Sequence, residues 1–172
     1  MKLCIFVREL KLLPMRKLLL LGAFALFFVS CKSKSVTNTA VDNKTERMMK
    51  GDWVISAVTY PGSEFIKVQS FNLADSQCFA GSNWKFISNN NKGAMSLTKA
   101  DCPSFSSPIS WFVNKDGQFV LKVLDAGDRA KKVRDGYILN VANQTENAFQ
   151  LVDKINVGGK MTDVVYQFEK LN

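Results

Sequence analysis

From Gly51 onward, apolar and polar side chains alternate in short segments separated by turn residues. This period-two pattern is typical of antiparallel strands with one buried face, and it restricts the fold more than any other feature of the chain. It predicts eight strands, at residues 53–60, 84–87, 94–98, 109–114, 118–124, 137–142, 148–153 and 164–170. Residues 69–78 and 126–134 break the pattern, and each is predicted to hold a short helix or a lid.

The connections between the predicted strands are short and rich in asparagine, aspartate and glycine, which tolerate left-handed backbone. Such hairpin loops lie at 89–93, 115–117, 143–147 and 156–159. Eight strands joined in this way favour an antiparallel up-and-down barrel, because closure leaves no unpaired sheet edge. The predicted fold class is therefore all-β, an eight-stranded barrel with one or two short helical segments.

The alternation also predicts which side chains face the barrel interior. Lys85, Lys122, Gln167 and Glu169 belong outside, so the positions between them face inward. The inward set is Trp84, Phe86, Trp111, Phe119, Leu121, Leu139, Phe149, Leu151, Val164, Tyr166 and Phe168. The candidate ligand cavity is lined by Trp84, Phe86, Trp111, Phe119, Leu121, Leu139, Phe149 and Tyr166. A barrel of this size is either filled by its side chains or holds one small ligand, and composition leaves both open.

Gly51-Asp52-Trp53 opens the first predicted strand, and further matching segments follow in order at 78–86, 109–111, 135–137 and 166–170. Together they resemble the lipocalin-like domains of bacterial lipoproteins over most of residues 51–172. The resemblance implies that Gly51 and Trp53 form a plug at one end of the barrel. It also implies a binding module for small apolar molecules. Lipocalins usually place an arginine against that tryptophan, and here the nearest candidate is Lys170.

Residues 18–30 form an apolar run that follows Arg16 and Lys17. The run is shorter than the roughly 20 residues of a membrane-spanning helix and suits the core of a secretory signal. Its end, Phe28-Val29-Ser30-Cys31, resembles the lipobox of bacterial lipoproteins, which implies that Cys31 is lipidated. The alternatives are an ordinary signal peptide and a single anchor helix. Translation could start at Met1 or at Met15.

These features predict a signal peptide at 1–30, a flexible tether carrying the lipidated cysteine at 31–50 and the barrel at 51–172. Lys32 and Ser33 after the cysteine resemble lipoproteins sent to the outer membrane, here facing the periplasm. The formal net charge of the whole chain is +8, but residues 51–172 hold 13 basic and 12 acidic side chains. The basic residues are dispersed, so nucleic acid is not an expected partner.

The cysteines and the absence of histidine limit the crosslinks, catalytic groups and metal ligands that the chain can have. Cys78 and Cys102 are predicted to form a disulfide in an exported chain, the alternative being two separate buried thiols. Without any histidine, the chain has neither a Ser-His-Asp arrangement nor a histidine-based metal site. We therefore expect no enzyme activity, no cofactor and no bound metal.

Two functions remain. The first is a membrane-anchored, lipocalin-like carrier of a small hydrophobic ligand in the cell envelope. The second is a non-enzymatic envelope protein that uses a filled barrel as a scaffold for a partner protein. A buried cavity favours the first, and a filled core with an exposed apolar patch favours the second.

Overall fold

The computed structural model describes residues 43–63, 66–125, 127, 129–133 and 136–171. The predicted signal peptide, Cys31 and the first part of the tether lie outside the described residues. Within the described ranges, helix α1 (Asn43–Met49) is followed by ten strands. These are β1 (Gly51–Thr59), β2 (Gln69–Ser70), β3 (Ala74–Asp75), β4 (Asn83–Ile87), β5 (Lys92–Leu97), β6 (Phe105–Val113), β7 (Gln118–Val123), β8 (Tyr137–Ala142), β9 (Ala148–Val157) and β10 (Lys160–Lys170). Short 3-10 helices span Ser76–Phe79 and Ser88–Asn90.

Eight of these strands form a closed antiparallel barrel in the order β1-β10-β9-β8-β7-β6-β5-β4, and β4 pairs with β1 to complete it. The predicted fold class is thus confirmed, and each predicted strand overlaps an observed one. The longest ladder joins β9 to β10 and runs from the Lys160–Val157 pair to the Glu169–Ala148 pair. Strands β2 and β3 form a separate two-stranded hairpin.

The barrel interior is filled mainly by aromatic and branched apolar side chains. All eleven residues of the predicted inward set are buried, with Trp84 the most exposed of them at 3%. The prediction succeeded because side chains along a strand alternate strictly between the two faces. One irregularity interrupts the alternation in β1, where the register against β10 shifts between Ile55 and Ala57.

Helix α1 covers one end of the barrel, which we call the closed end. The Glu46 carboxylate accepts a hydrogen bond from the Val113 backbone N–H at 2.9 Å, and Met49 is fully buried. The sequence predicted a flexible tether as far as Lys50, whereas the folded domain already includes residues 43–49. The sequence signal was weak because this helix has fewer than two turns and lies between polar residues.

Residues 66–82, which we call the cover segment, lie over the opposite end of the barrel, the mouth. They comprise the β2–β3 hairpin and the first 3-10 helix, so the region 69–78 does overlap a short helix, while its action as a lid stays a prediction. The Cys78–Cys102 disulfide joins the cover segment to the loop between β5 and β6, with the two Cα atoms 5.6 Å apart. In the second irregular region, residues 130–132 form a turn.

Candidate functional site: the covered mouth of the barrel

Phe71 inserts its ring from the cover segment into the mouth and is surrounded there by four other rings. Its ring centroid lies 5.1 Å from Phe79, 6.4 Å from Trp84 and 5.1 Å from Tyr137, all in edge-to-face contacts. It stacks on Tyr166 at 5.5 Å with an interplanar angle of 29°. We call the four surrounding rings the aromatic cage. Phe71, which is 5% exposed, therefore fills the position between these rings with a side chain of the cover segment.

The backbone at Phe71 is unusual for a bulky residue. Phe71 and Asn72 have φ values of 53° and 54°, in the left-handed region. Asparagine tolerates this region, whereas a phenylalanine is disfavoured there by about 1 kcal/mol or more. The tight turn is closed by a bond from the Leu73 N–H to the Ser70 carbonyl at 3.0 Å. Burial of the ring in the aromatic cage offsets the backbone cost.

Two hydroxyl pairs fix the cover segment to the barrel wall. The Ser70 and Tyr166 hydroxyls lie 2.5 Å apart, and those of Tyr60 and Ser76 are also hydrogen bonded. Ser70 and Ser76 are buried. Burial raises the pKa of Tyr166, so its side chain remains a neutral phenol that can donate a hydrogen bond.

Asp153 brings a carboxylate to the mouth. It pairs across the β9–β10 ladder with Val164, which is fully buried, and cross-strand partners share a face of the sheet. Asp153 therefore faces inward, diagonal to Tyr166, with which it interacts electrostatically. Burial raises the pKa of the Asp153 carboxyl above its ordinary value of 3.8, because desolvation disfavours the charged form.

The predicted cavity residues are together in the interior, where they contact one another. Phe86 lies 5.0 Å from Trp111 and 5.6 Å from Phe119 between ring centroids, and Trp111 stacks on Phe119 at 5.7 Å. Leu121, Leu139 and Phe149 are buried beside them, while Trp84 and Tyr166 also belong to the aromatic cage. Binding of a ligand among these eight residues stays a prediction.

The predicted plug residues lie at the closed end. Trp53 is fully buried, and its indole Nε1–H donates to the Met49 carbonyl at 2.7 Å. Its ring meets Phe149 edge-on at 4.7 Å. Lys170 pairs with Trp53 in the sheet and places its Nζ 5.8 Å from the ring centroid. Gly51 adopts a φ of 131° where α1 passes into β1.

Neither Phe71 nor Asp153 is among the residues predicted for a site. Phe71 lies in an irregular segment, where no periodicity indicates the direction of a side chain. Asp153 could have been found, because it continues the inward series of Phe149 and Leu151 along one strand. The Cys78–Cys102 disulfide was predicted and is confirmed.

The described residues contain no group of three or more His, Cys, Asp or Glu side chains suited to a metal ion. Within those same ranges, no helix has the length and hydrophobicity needed to cross a membrane.

A groove of about 540 Å³ lies on the outside of the barrel, along β4, β5 and β6. Ala94, Pro108 and Leu171 contribute apolar surface to it, and Leu171 is 45% exposed. An ion pair between Lys85 and Asp52 at 3.5 Å lies beside these residues. We call this surface the outer groove.

No protein-family model and no curated protein matches the chain. Similar solved structures are of lipocalin-fold odorant binding proteins. A bovine odorant binding protein in complex with its natural ligand shares 14% identity, with a TM-score of 0.42 over 78% of this chain and 77% of that one. Bovine odorant binding protein with a selenium-containing odorant gives 10% identity and a TM-score of 0.42 over 78% and 76%. A third odorant binding protein gives 16% and 0.40 over 78% and 79%.

Proposed function

We propose that this chain is a non-enzymatic, lipid-anchored protein of the bacterial envelope that carries a small hydrophobic molecule at the mouth of its barrel. Because a fold does not determine a function, the proposal depends on this chain's own residues. The observation that carries it is the insertion of Phe71 into the aromatic cage. The cover segment, and not the barrel wall, supplies the group that fills this position.

A ring held in this way can be exchanged for a ligand of similar size. The cage supplies apolar contacts on several sides, as small-molecule sites do, and withdrawal of Ser70 with Phe71 frees the Tyr166 hydroxyl as a polar group. Withdrawal of Phe71 also releases the left-handed backbone at residues 71 and 72, and strain of this kind is concentrated at binding and switching sites. The β2–β3 hairpin then acts as a movable lid, while the Cys78–Cys102 disulfide keeps the 3-10 helix and Phe79 attached to the barrel.

Competition between the Phe71 ring and a ligand leads to a direct test. The apparent affinity of a self-occupied site is reduced by the fraction of molecules in which the site is open. We expect Phe71→Ala in the full chain to bind the neutral probe N-phenylnaphthylamine at least about tenfold more tightly than the natural sequence does. Ile138→Ala, which alters an exposed side chain of β8, is the matched control and is expected to leave binding unchanged.

Native mass spectrometry of the full chain, extracted gently from envelopes, identifies the natural ligand. A reproducible extra mass that leaves on denaturation supports the carrier function. Absence of probe binding to folded Phe71→Ala, together with absence of any extra mass, contradicts it.

The anchor is proposed from Phe28-Val29-Ser30-Cys31, with the outer membrane and its periplasmic face as the proposed location. The test is Cys31→Ser, for which we expect loss of lipid modification and of membrane association on fractionation. A variant that still sediments with membranes contradicts the lipid anchor while leaving the ligand site unaffected.

The second candidate function is a scaffold for a partner protein, and the filled interior together with the outer groove favours it. Here the partner contacts the exposed apolar surface of Ala94 and Pro108. Two results together support the scaffold over the carrier. In-cell crosslinking captures one reproducible partner protein, and this crosslink is lost in Ala94→Arg. Phe71→Ala binds the probe no more tightly than the natural sequence does.

A further inference from the structure

Asp153 is an unusual residue for the inside of this barrel. Away from the strand ends, it is the one charged side chain that the described barrel strands direct inward. Its inward neighbours along β9 are Leu151 and Ile155, and its partner across the sheet is Val164. A carboxylate among such neighbours is partly desolvated, which is unfavourable unless an opposite charge or hydrogen-bond donors compensate.

Within the described ranges, no cation pairs with this carboxylate, and burial is what shifts its pKa. Two ion pairs there, Lys85 with Asp52 and Lys154 with Asp163, lie on the outer surface. The group that faces Asp153 electrostatically is Tyr166, a neutral phenol. A positively charged group on a ligand would therefore gain a charge-assisted hydrogen bond in a partly desolvated site, where such bonds are strong.

The aromatic cage favours an aromatic group on the same ligand. Trp84, Tyr137 and Tyr166 present their rings around the position of Phe71, so a ligand ring placed there would gain the ring–ring contacts that Phe71 makes. We propose that the barrel mouth binds a small organic ammonium compound with one aromatic ring, the ring replacing that of Phe71 and the ammonium group bonding to Asp153. The proposal rests on the proposed carrier function, because Phe71 must first leave the cage.

The spacing of the residues limits the length of the ligand. Asp153 and Tyr166 are diagonal neighbours on β9 and β10, so their Cβ atoms lie about 5–8 Å apart. The Phe71 ring stacks directly on Tyr166. A ring in that position reaches the carboxylate through a short linker of about two methylene groups, which is the length of phenethylammonium.

Three probes of nearly equal shape test the charge requirement: phenethylammonium, the neutral phenethyl alcohol and the anionic hydrocinnamate. Their binding to the full chain and to its Phe71→Ala variant is measured by isothermal titration calorimetry. In Phe71→Ala we expect the ammonium compound to bind at least about tenfold more tightly than the alcohol, and the anion to bind most weakly. Phe71→Leu, a milder truncation, gives the same comparison if the alanine variant does not fold.

Asp153→Asn, made in the same background, is expected to abolish the preference for the ammonium compound while leaving the binding of the alcohol unchanged. The matched control is Asp163→Asn, which removes an outward-facing carboxylate of the neighbouring strand and is expected to keep the preference.

Equal binding of the ammonium compound and the alcohol overturns the assignment of Asp153 and leaves the carrier function standing. If none of the three probes binds to the folded Phe71 variants, the assignment of Asp153 is overturned. The carrier function fails as well only if N-phenylnaphthylamine does not bind to Phe71→Ala and no extra mass is found.

Discussion

Replacement of Trp53 by alanine tests how much the closed end contributes to stability. The substitution removes a fully buried indole that meets Phe149 edge-on at 4.7 Å. It also removes the donor to the Met49 carbonyl, a bond of 2.7 Å that joins α1 to β1. We therefore expect a cavity at the end of the barrel and a looser attachment of the helix.

The magnitude follows from these contacts. Truncation of a buried tryptophan to alanine lowers the free energy of unfolding by about 3–5 kcal/mol, including the cavity term. A domain of this kind has a total stability of about 5–15 kcal/mol, so the loss is a large fraction of it. Trp53→Phe retains an aromatic ring but loses the hydrogen bond to Met49, and we expect a loss of about 1–2 kcal/mol.

Urea unfolding followed by far-ultraviolet circular dichroism measures both losses without relying on the mutated fluorophore. With an m-value of about 2 kcal/mol/M, Trp53→Ala lowers the midpoint by about 2 M and Trp53→Phe by less than about 1 M. Ile138→Ala is the control, because its 43% exposed side chain predicts a change within about 0.5 kcal/mol. A Trp53→Ala midpoint as close to that of the natural sequence as the control would refute the plug assignment.

Two further predictions concern the mouth. Replacement of Cys78 and Cys102 together by alanine removes a crosslink between positions 24 residues apart. We expect the free energy of unfolding in non-reducing urea to fall by about 3 kcal/mol. An unchanged urea midpoint contradicts this expectation. Because the pKa of Asp153 is raised, the folded state binds this proton more tightly than the unfolded state does. The contribution of Asp153 to stability is therefore fully present below its ordinary pKa of 3.8 and is lost as pH rises through the folded-state pKa. Asp153→Asn is therefore expected to raise the melting temperature near neutral pH and to lose this advantage below about pH 4; a lower melting temperature near neutral pH contradicts the inward placement.

The barrel could be predicted because strand alternation is a local property. Each of Trp84, Phe86 and Trp111 shows its inward direction through its immediate neighbours in the sequence. The hairpin loops add the connectivity, since short turns permit little besides antiparallel pairing of adjacent strands. The disulfide was predicted from the count of cysteines in an exported chain, although the sequence could not give its geometry.

Helix α1 and the cover segment could not be predicted in the same way. The helix is too short to show a clear period, and it is held by contacts with distant residues, such as the bond from the Val113 N–H to Glu46. Short helices depend on tertiary packing more than on their own propensity. Phe71 likewise reaches the cage through left-handed backbone, and its contacts with the cage offset the free-energy cost of that conformation.

The sequence by itself thus determined the number of barrel strands, their order along the chain and the inward face of each, because these depend on neighbours a few residues apart. The tertiary structure alone decided that Phe71 occupies the mouth, against Tyr137 and Tyr166. That placement depends on how segments far apart in the chain meet in space, and the burial that enforces it exists only after the barrel has closed.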